Sequence, residues 1–148
     1  MNRDEVIAKW NSMQPRERDA WIAKDVMCWS VYRYDKDVPE RCYYMLVNES
    51  FDSVVNEVGW NAGERKTEEE AWEDCPHFTT DISAAWEVIE KAEIMDRIQL
   101  GLYPTSFGKW IAKSYMAGYE NCRVQADSAP EAICLAALIA TQGEGIEE

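Results

Sequence analysis

"DSAPEAICLAALIATQG", residues 127–143, is the stretch that decides the fold. Ser128-Ala-Pro-Glu131 has the S-x-x-E form of a capping box, and Pro130 is tolerated in a first helical turn. Ile133, Cys134, Leu135, Leu138 and Ile139 follow, separated mostly by alanines, and Gly143 suits a helix end. A helix that is apolar nearly all round is buried on most sides, and its alanines allow close approach to a sheet. The stretch predicts a core helix laid across strands that lie just upstream.

Three short extended segments precede it, at 97–103, 109–115 and 121–126, with turn residues at 104–108 and Gly118 between them. That spacing predicts an antiparallel meander. Alternate residues of a strand point to opposite faces. One parity gives Ile98, Leu100, Leu102, Trp110, Ala112, Cys122, Val124 and Ala126, the side under the helix. The other gives Arg97, Gln99, Lys113, Tyr115, Arg123 and Gln125, a polar and basic side. Further upstream, TTDISAAWEVIEK (79–91) predicts a central helix. Thr79 or Thr80 would cap it, with Asp81 in its first turn and Ile82, Ala85, Trp86 and Ile89 as its apolar stripe.

The N-terminal third reads as two helices and then two strands. Asn2 with Glu5 fits an N-cap and its N3 acid, and Val6, Ile7 and Trp10 make one stripe. Pro15 opens a second helix that should end near Cys28. SVYRY (30–34) and CYYMLV (42–47) have the aromatic and β-branched content of strands. From 48 to 76 the signal weakens into a variable loop region, in which TEEEAWED (67–74) fits either a short helix or a solvated acidic loop. The expectation is a single α+β domain over 1–148, an antiparallel meander with helices packed on it.

Two blocks, TTDISAAWEVIEK (79–91) and ADSAPEAICLAALIA (126–140), resemble small phage and prophage proteins with an αβα-sandwich domain. AKDVMCW (23–29) is a weaker third match. The resemblance implies phage origin and an α/β sandwich, and it brings no activity or catalytic residues with it. Glu131 and Leu135 stand where that family commonly carries a hydrophobic and a basic residue.

The chain holds 28 acidic residues against 15 basic ones, for a net charge of −13. That argues against nucleic-acid binding, which needs a basic footprint. Cys28, Cys42, Cys75, Cys122 and Cys134 are odd in number and contain no C-x-x-C, so reduced thiols in a cytoplasm are expected. No run approaches the roughly 20 apolar residues of a membrane helix, and MNRDEVIAKW has no apolar signal core. His77 with Cys75 and Asp74 falls short of a zinc set. A nucleophile without an orienting base, and the lack of any P-loop or G-x-G-x-x-G, argue against an enzyme, a metal or a cofactor.

The polar parity of the meander is the less ordinary feature. Its plainest reading is a half-solvated sheet. Its functional reading is the floor of a pocket for a phosphate-bearing ligand, since the arginine fork suits phosphate. Arg97, Lys113, Tyr115, Arg123 and Gln125 would line it. Tyr32, Tyr34 and Tyr43 would stack on a base, and the helix start at Thr79-Thr80 would offer free amides. The function expected is a non-catalytic phage accessory protein that sequesters a nucleotide-derived host immune signal, of ADP-ribose or cyclic-nucleotide type, in the host cytoplasm. The alternative is an inhibitor or host-takeover factor that binds a basic host protein. Seven Trp and seven Tyr also point to a homo-dimer or higher oligomer.

Overall fold

The computed structural model describes residues 2–34, 41–51, 60–91, 99–115 and 122–142. Helix α1 spans Arg3–Asn11, and the Asn2 side chain accepts from the Glu5 amide at 2.9 Å. Val6 and Trp10 are its buried residues. Helix α2 spans Pro15–Trp21, with Pro15 in the first turn and Gln14 capped by Glu17. The helix widens into a π turn, Ile22–Val26, where the Met27 amide donates to Ile22 at 3.0 Å. The Trp29 amide then donates to the Ala23 carbonyl, and Cys28 takes a positive φ of 60°. This left-handed residue stops the helix and turns the chain into the first strand, as the sequence pattern around Cys28 predicts.

Strands β1 (Ser30–Tyr34) and β2 (Tyr43–Val47) pair antiparallel with Tyr34 opposite Tyr43. Tyr44 and Arg65 exchange backbone hydrogen bonds at 2.8 and 2.7 Å, which ties the return segment to β2. TEEEAWED settles as a helix, α3 (Glu68–Trp72), capped by Thr67. Arg65 makes two hydrogen bonds to Asp74, at 2.8 and 2.7 Å, and these hold the Asp74 carboxyl below the usual carboxylate range.

The meander is present in the expected order. β3 (Leu100–Pro104), β4 (Trp110–Ser114) and β5 (Arg123–Ala126) form a second sheet, in which Leu102, Ala112 and Val124 stand in one row. Helix α5 (Ala129–Gln142) lies on their apolar face. The Glu131 amide donates to the Ser128 hydroxyl, so the predicted cap is formed. Every residue from 132 to 140 is buried. The sheet covers one side, and α1, the π turn and the helix at Ile82–Glu90 cover the rest. Two small antiparallel sheets and their helices thus give the α+β class expected. The Gly143 helix stop lies outside the described residues.

The central helix departs from expectation in two ways. Its N-cap is Asp81, whose carboxylate accepts from the Ser83 amide at 2.9 Å; neither Thr79 nor Thr80 caps it. The helix, α4 (Ile82–Glu90), buries Ala84, Ala85 and Val88, while Ile82 and Trp86 are 49% and 52% exposed. It packs on α5, whose surface is alanine-rich. Two such helices approach closely through small side chains, and an indole on that face would hold them apart.

Thr79 has another role. Its amide and its hydroxyl both donate to Asp19 Oδ1, each at 2.8 Å, and both residues are fully or almost fully buried. Asp19 Oδ2 accepts from Arg16 at 2.8 Å. Arg16 also donates to the carbonyls of Glu73 and Cys75, at 2.7 and 2.8 Å. One buried carboxylate thus joins α2 to the segment that leads into α4.

Two variants test this packing. Leu138→Asp buries an unpaired charge in α5 and should lower stability by roughly 4 kcal/mol. Asp19→Ala leaves Arg16 and Thr79 without their acceptor and should cost about 3–5 kcal/mol. Denaturant titration with an unchanged midpoint for either variant refutes the corresponding contact.

Candidate functional site

The register of the second sheet sets the geometry of its outer face. Lys113 stands opposite Gly101 on one side and Arg123 on the other, and Gln125 stands opposite Ile111. Gly101 leaves room that the Tyr115 ring fills. A β-carbon at 101 would lie 2.1 Å from the ring. The Lys113 ammonium sits 4.9 Å above the centre of the same ring. Lys113, Tyr115, Arg123 and Gln125 are therefore brought together on the side away from α5. Ile111 is a buried apolar residue within this otherwise polar face. Arg97 lies outside the described residues.

β5 is an edge strand of this sheet, and residues of α1 and α2 stand beside it. Between them is a cleft of about 400 Å³, walled by Arg3, Arg18, Lys109 and Gln125, with Trp10 and Leu135 among its apolar residues. Arg3 reaches across to donate to the Arg123 carbonyl at 2.8 Å. Arg18 donates to the Trp10 carbonyl at 2.9 Å, stacks over the Trp10 ring at 4.7 Å, and lies 3.6 Å from Glu131. Lys109 pairs with Asp127 and holds that carboxyl below its ordinary range. Three cations thus face two carboxylates, Asp127 and Glu131. Gln125 belongs to both the cleft and the polar face, so the two form one continuous strip.

The other residues singled out in the sequence lie elsewhere. Tyr32, Tyr34 and Tyr43 are on the first sheet, which among the described residues shares no strand pairing with the second. Tyr34 and Tyr43 stack at 4.8 Å, and Tyr32 leans on Tyr34 and Phe51. They form an aromatic ladder on one hairpin face instead of a wall of the cleft. Thr79 is buried against Asp19, and Thr80 is exposed beside the Asp81 cap. The Thr79-Thr80 start therefore offers no open set of amides, because a carboxylate already occupies it. Sequence reasoning missed Arg3, Arg18 and Lys109. Arg3 had a signal: with Ile7 and Trp10 it follows the i, i+4, i+7 spacing of one helical stripe, so its charge sits at the end of a core-facing row.

The buried thiols are poor nucleophiles. Desolvation pushes Cys75 up to about 11 and Cys122 to about 12, and it raises Cys134 as well. The Cys122 and Cys134 thiols donate to the carbonyls of Ala136 and Phe78, each at 3.3 Å.

The architecture is that of a small sandwich in which one sheet and several helices enclose a single buried helix. The phage ABA sandwich domain matches residues 20–138, and the chain belongs to that family. A phage protein from Bacillus cereus ATCC 14579, solved as a crystal structure, is similar in fold. The TM-score is 0.52 at 20% identity, over 88% of this chain and 94% of that one. No curated protein matches the sequence. Among the described residues no helix is long and apolar enough to cross a membrane. Arg3, Trp10 and Arg18 precede the matched stretch, whereas Lys109, Arg123 and Gln125 lie within it.

Thiol titration checks the burial. In the native protein at pH 8, Cys75, Cys122 and Cys134 should resist an aromatic disulfide reagent, since burial keeps each of them in the thiol form. Exposed Cys28 should react first. Fast modification of all five thiols without denaturant contradicts the fold.

Proposed function

We propose that this phage-family protein binds a small phosphate-bearing ligand in the cleft at the β5 edge and holds it without chemical change. The supporting observation is the gathering of Arg3, Arg18 and Lys109 with Gln125 around one cavity in a chain of net charge −13. Its size falls within the ~300–1,000 Å³ of small-molecule sites. Arginine forks suit phosphate oxygens. Along the strip, Arg123 and Lys113 extend the positive surface. A phosphate drawn to Lys113 would also lift its ammonium from the Tyr115 ring and free that face for stacking. A nucleotide-derived signal of the ADP-ribose or cyclic-nucleotide type has both groups that this strip suits. Sequestering such a signal in the host cytoplasm would blunt a defence that depends on it. Exposed rings such as Tyr103 and Phe107 favour self-association alongside binding, and a monomeric mass by light scattering at micromolar concentration would remove that part.

Calorimetric titration with ADP-ribose and a panel of cyclic nucleotides tests the reading. Arg123→Ala and Lys109→Ala should each weaken the best ligand by about ten- to a hundredfold, the loss of one charge-assisted contact. Asp127→Asn should tighten it, because a competing carboxylate is removed. Heat-released ligand should be chemically intact. Unaltered binding in both cation variants moves the site away from β5, and recovery of cleaved ligand makes the protein an enzyme.

A further inference from the structure

The outer face of α4 is an anomaly that the β5 cleft does not explain. Ile82 and Trp86 are one turn apart and each about half exposed. Next along the same surface come Glu87 and Glu90, which slope into a second cleft of about 310 Å³. Met27 and Trp29 form the apolar part of that cleft, and Glu49 and Lys91 complete it with the Asn48 and Ser50 side of the chain. Trp29 is packed between two rings, with Trp60 tilted against it at 5.1 Å and Phe78 edge-on at 5.9 Å. Lys91, the cation lining this cleft, is paired with Glu49 at 2.5 Å. The surface therefore combines an apolar ridge, a fixed aromatic wall and an acidic rim.

We propose that this face docks a basic amphipathic segment of a partner protein, with the partner's apolar side chains on Ile82 and Trp86 and its Lys or Arg side chains in the cleft against Glu87, Glu90 and Trp29. Charge complementarity selects this occupant. A second copy of the chain would set Glu87 and Glu90 against their own equivalents, at −13 on each side. Anionic lipid or nucleic acid would meet the same repulsion. A cation in the cleft gains both from the carboxylates and from the indole face. A tryptophan surrounded by polar residues is the usual anchor of such a contact. The surface is separate from the β5 strip, so its failure leaves the ligand reading intact.

The probe is a synthetic amphipathic Lys/Leu helical peptide, compared with a Glu/Leu peptide of equal length and a charge-matched Lys/Ser peptide. Fluorescence anisotropy with the full-length protein should show binding of the Lys/Leu peptide alone. Trp86→Ala should weaken it by about tenfold or more, as loss of an anchor does. The double variant Glu87→Gln, Glu90→Gln should weaken it and flatten its salt dependence. Tyr115→Ala should bind as wild type. Trp86→Ala should still fold and melt cooperatively, because about half of the side chain is exposed and it is not part of the buried core. Equal binding of the Lys/Ser peptide, or full affinity in Trp86→Ala, reduces the effect to general acidity and overturns the proposal. No binding of the Lys/Leu peptide also overturns it, as does self-association of wild type that Trp86→Ala abolishes.

Discussion

A helix whose residues are buried from 132 to 140 without a break must be covered on every side, and the remaining elements are arranged to cover α5. Each buried Leu or Ile there contributes about 1.5–3 kcal/mol relative to exposure. The meander takes one side, and α1, α4 and the π turn take the others. Small residues make this possible. Four alanines lie among those nine positions, so the backbone of α5 can come close to both the sheet and α4. The buried thiols of Cys122 and Cys134 act within the same constraint, as small apolar fillers with a weak hydrogen bond.

Apolar cover alone does not fix how α2 meets α4. Asp19 does this through directional bonds, to Arg16 on its own helix and to the Thr79 amide and hydroxyl. A buried carboxylate is tolerated only when its oxygens are paired, and here both are. The same bonds explain why Thr79 is unavailable as a cap and why Asp81 takes that place. Asp19 looked like any helical surface acid in the sequence. Its partner is sixty positions away, and local spacing carries no trace of such a contact.

What the sequence revealed followed from periodicity. The meander parities of Lys113, Arg123 and Val124 were legible because strand alternation is strict and one face must be buried. Helix α5 was legible because it has almost no polar residue to place. The face of α4 was misread because Ile82 and Trp86 share helical spacing with Ala85 and Ile89, and large apolar residues outweigh alanine in any such reading. The helix instead turned its small residues inward. The cleft was only half legible. Gln125 came from strand parity, as did Arg123 on the adjoining strip, but Arg3 and Arg18 come to the cleft from more than a hundred residues away. The hairpin tyrosines were grouped with the basic face on chemistry alone, and the two sheets keep them apart.

The remaining question is how an acidic molecule could present both a cationic cleft and a surface for a basic partner. At physiological ionic strength the screening length is about 8 Å. A ligand inside the β5 cleft therefore responds chiefly to the charges that line it, Arg3, Arg18 and Lys109 against Asp127 and Glu131. Farther out, the −13 total would slow the approach of an anion and speed that of a basic protein. The two proposed sites should consequently respond to salt in opposite directions during association. Added salt would relieve the repulsion felt by an approaching anion, although it weakens the contacts made on arrival. For the partner of α4, salt would weaken both steps.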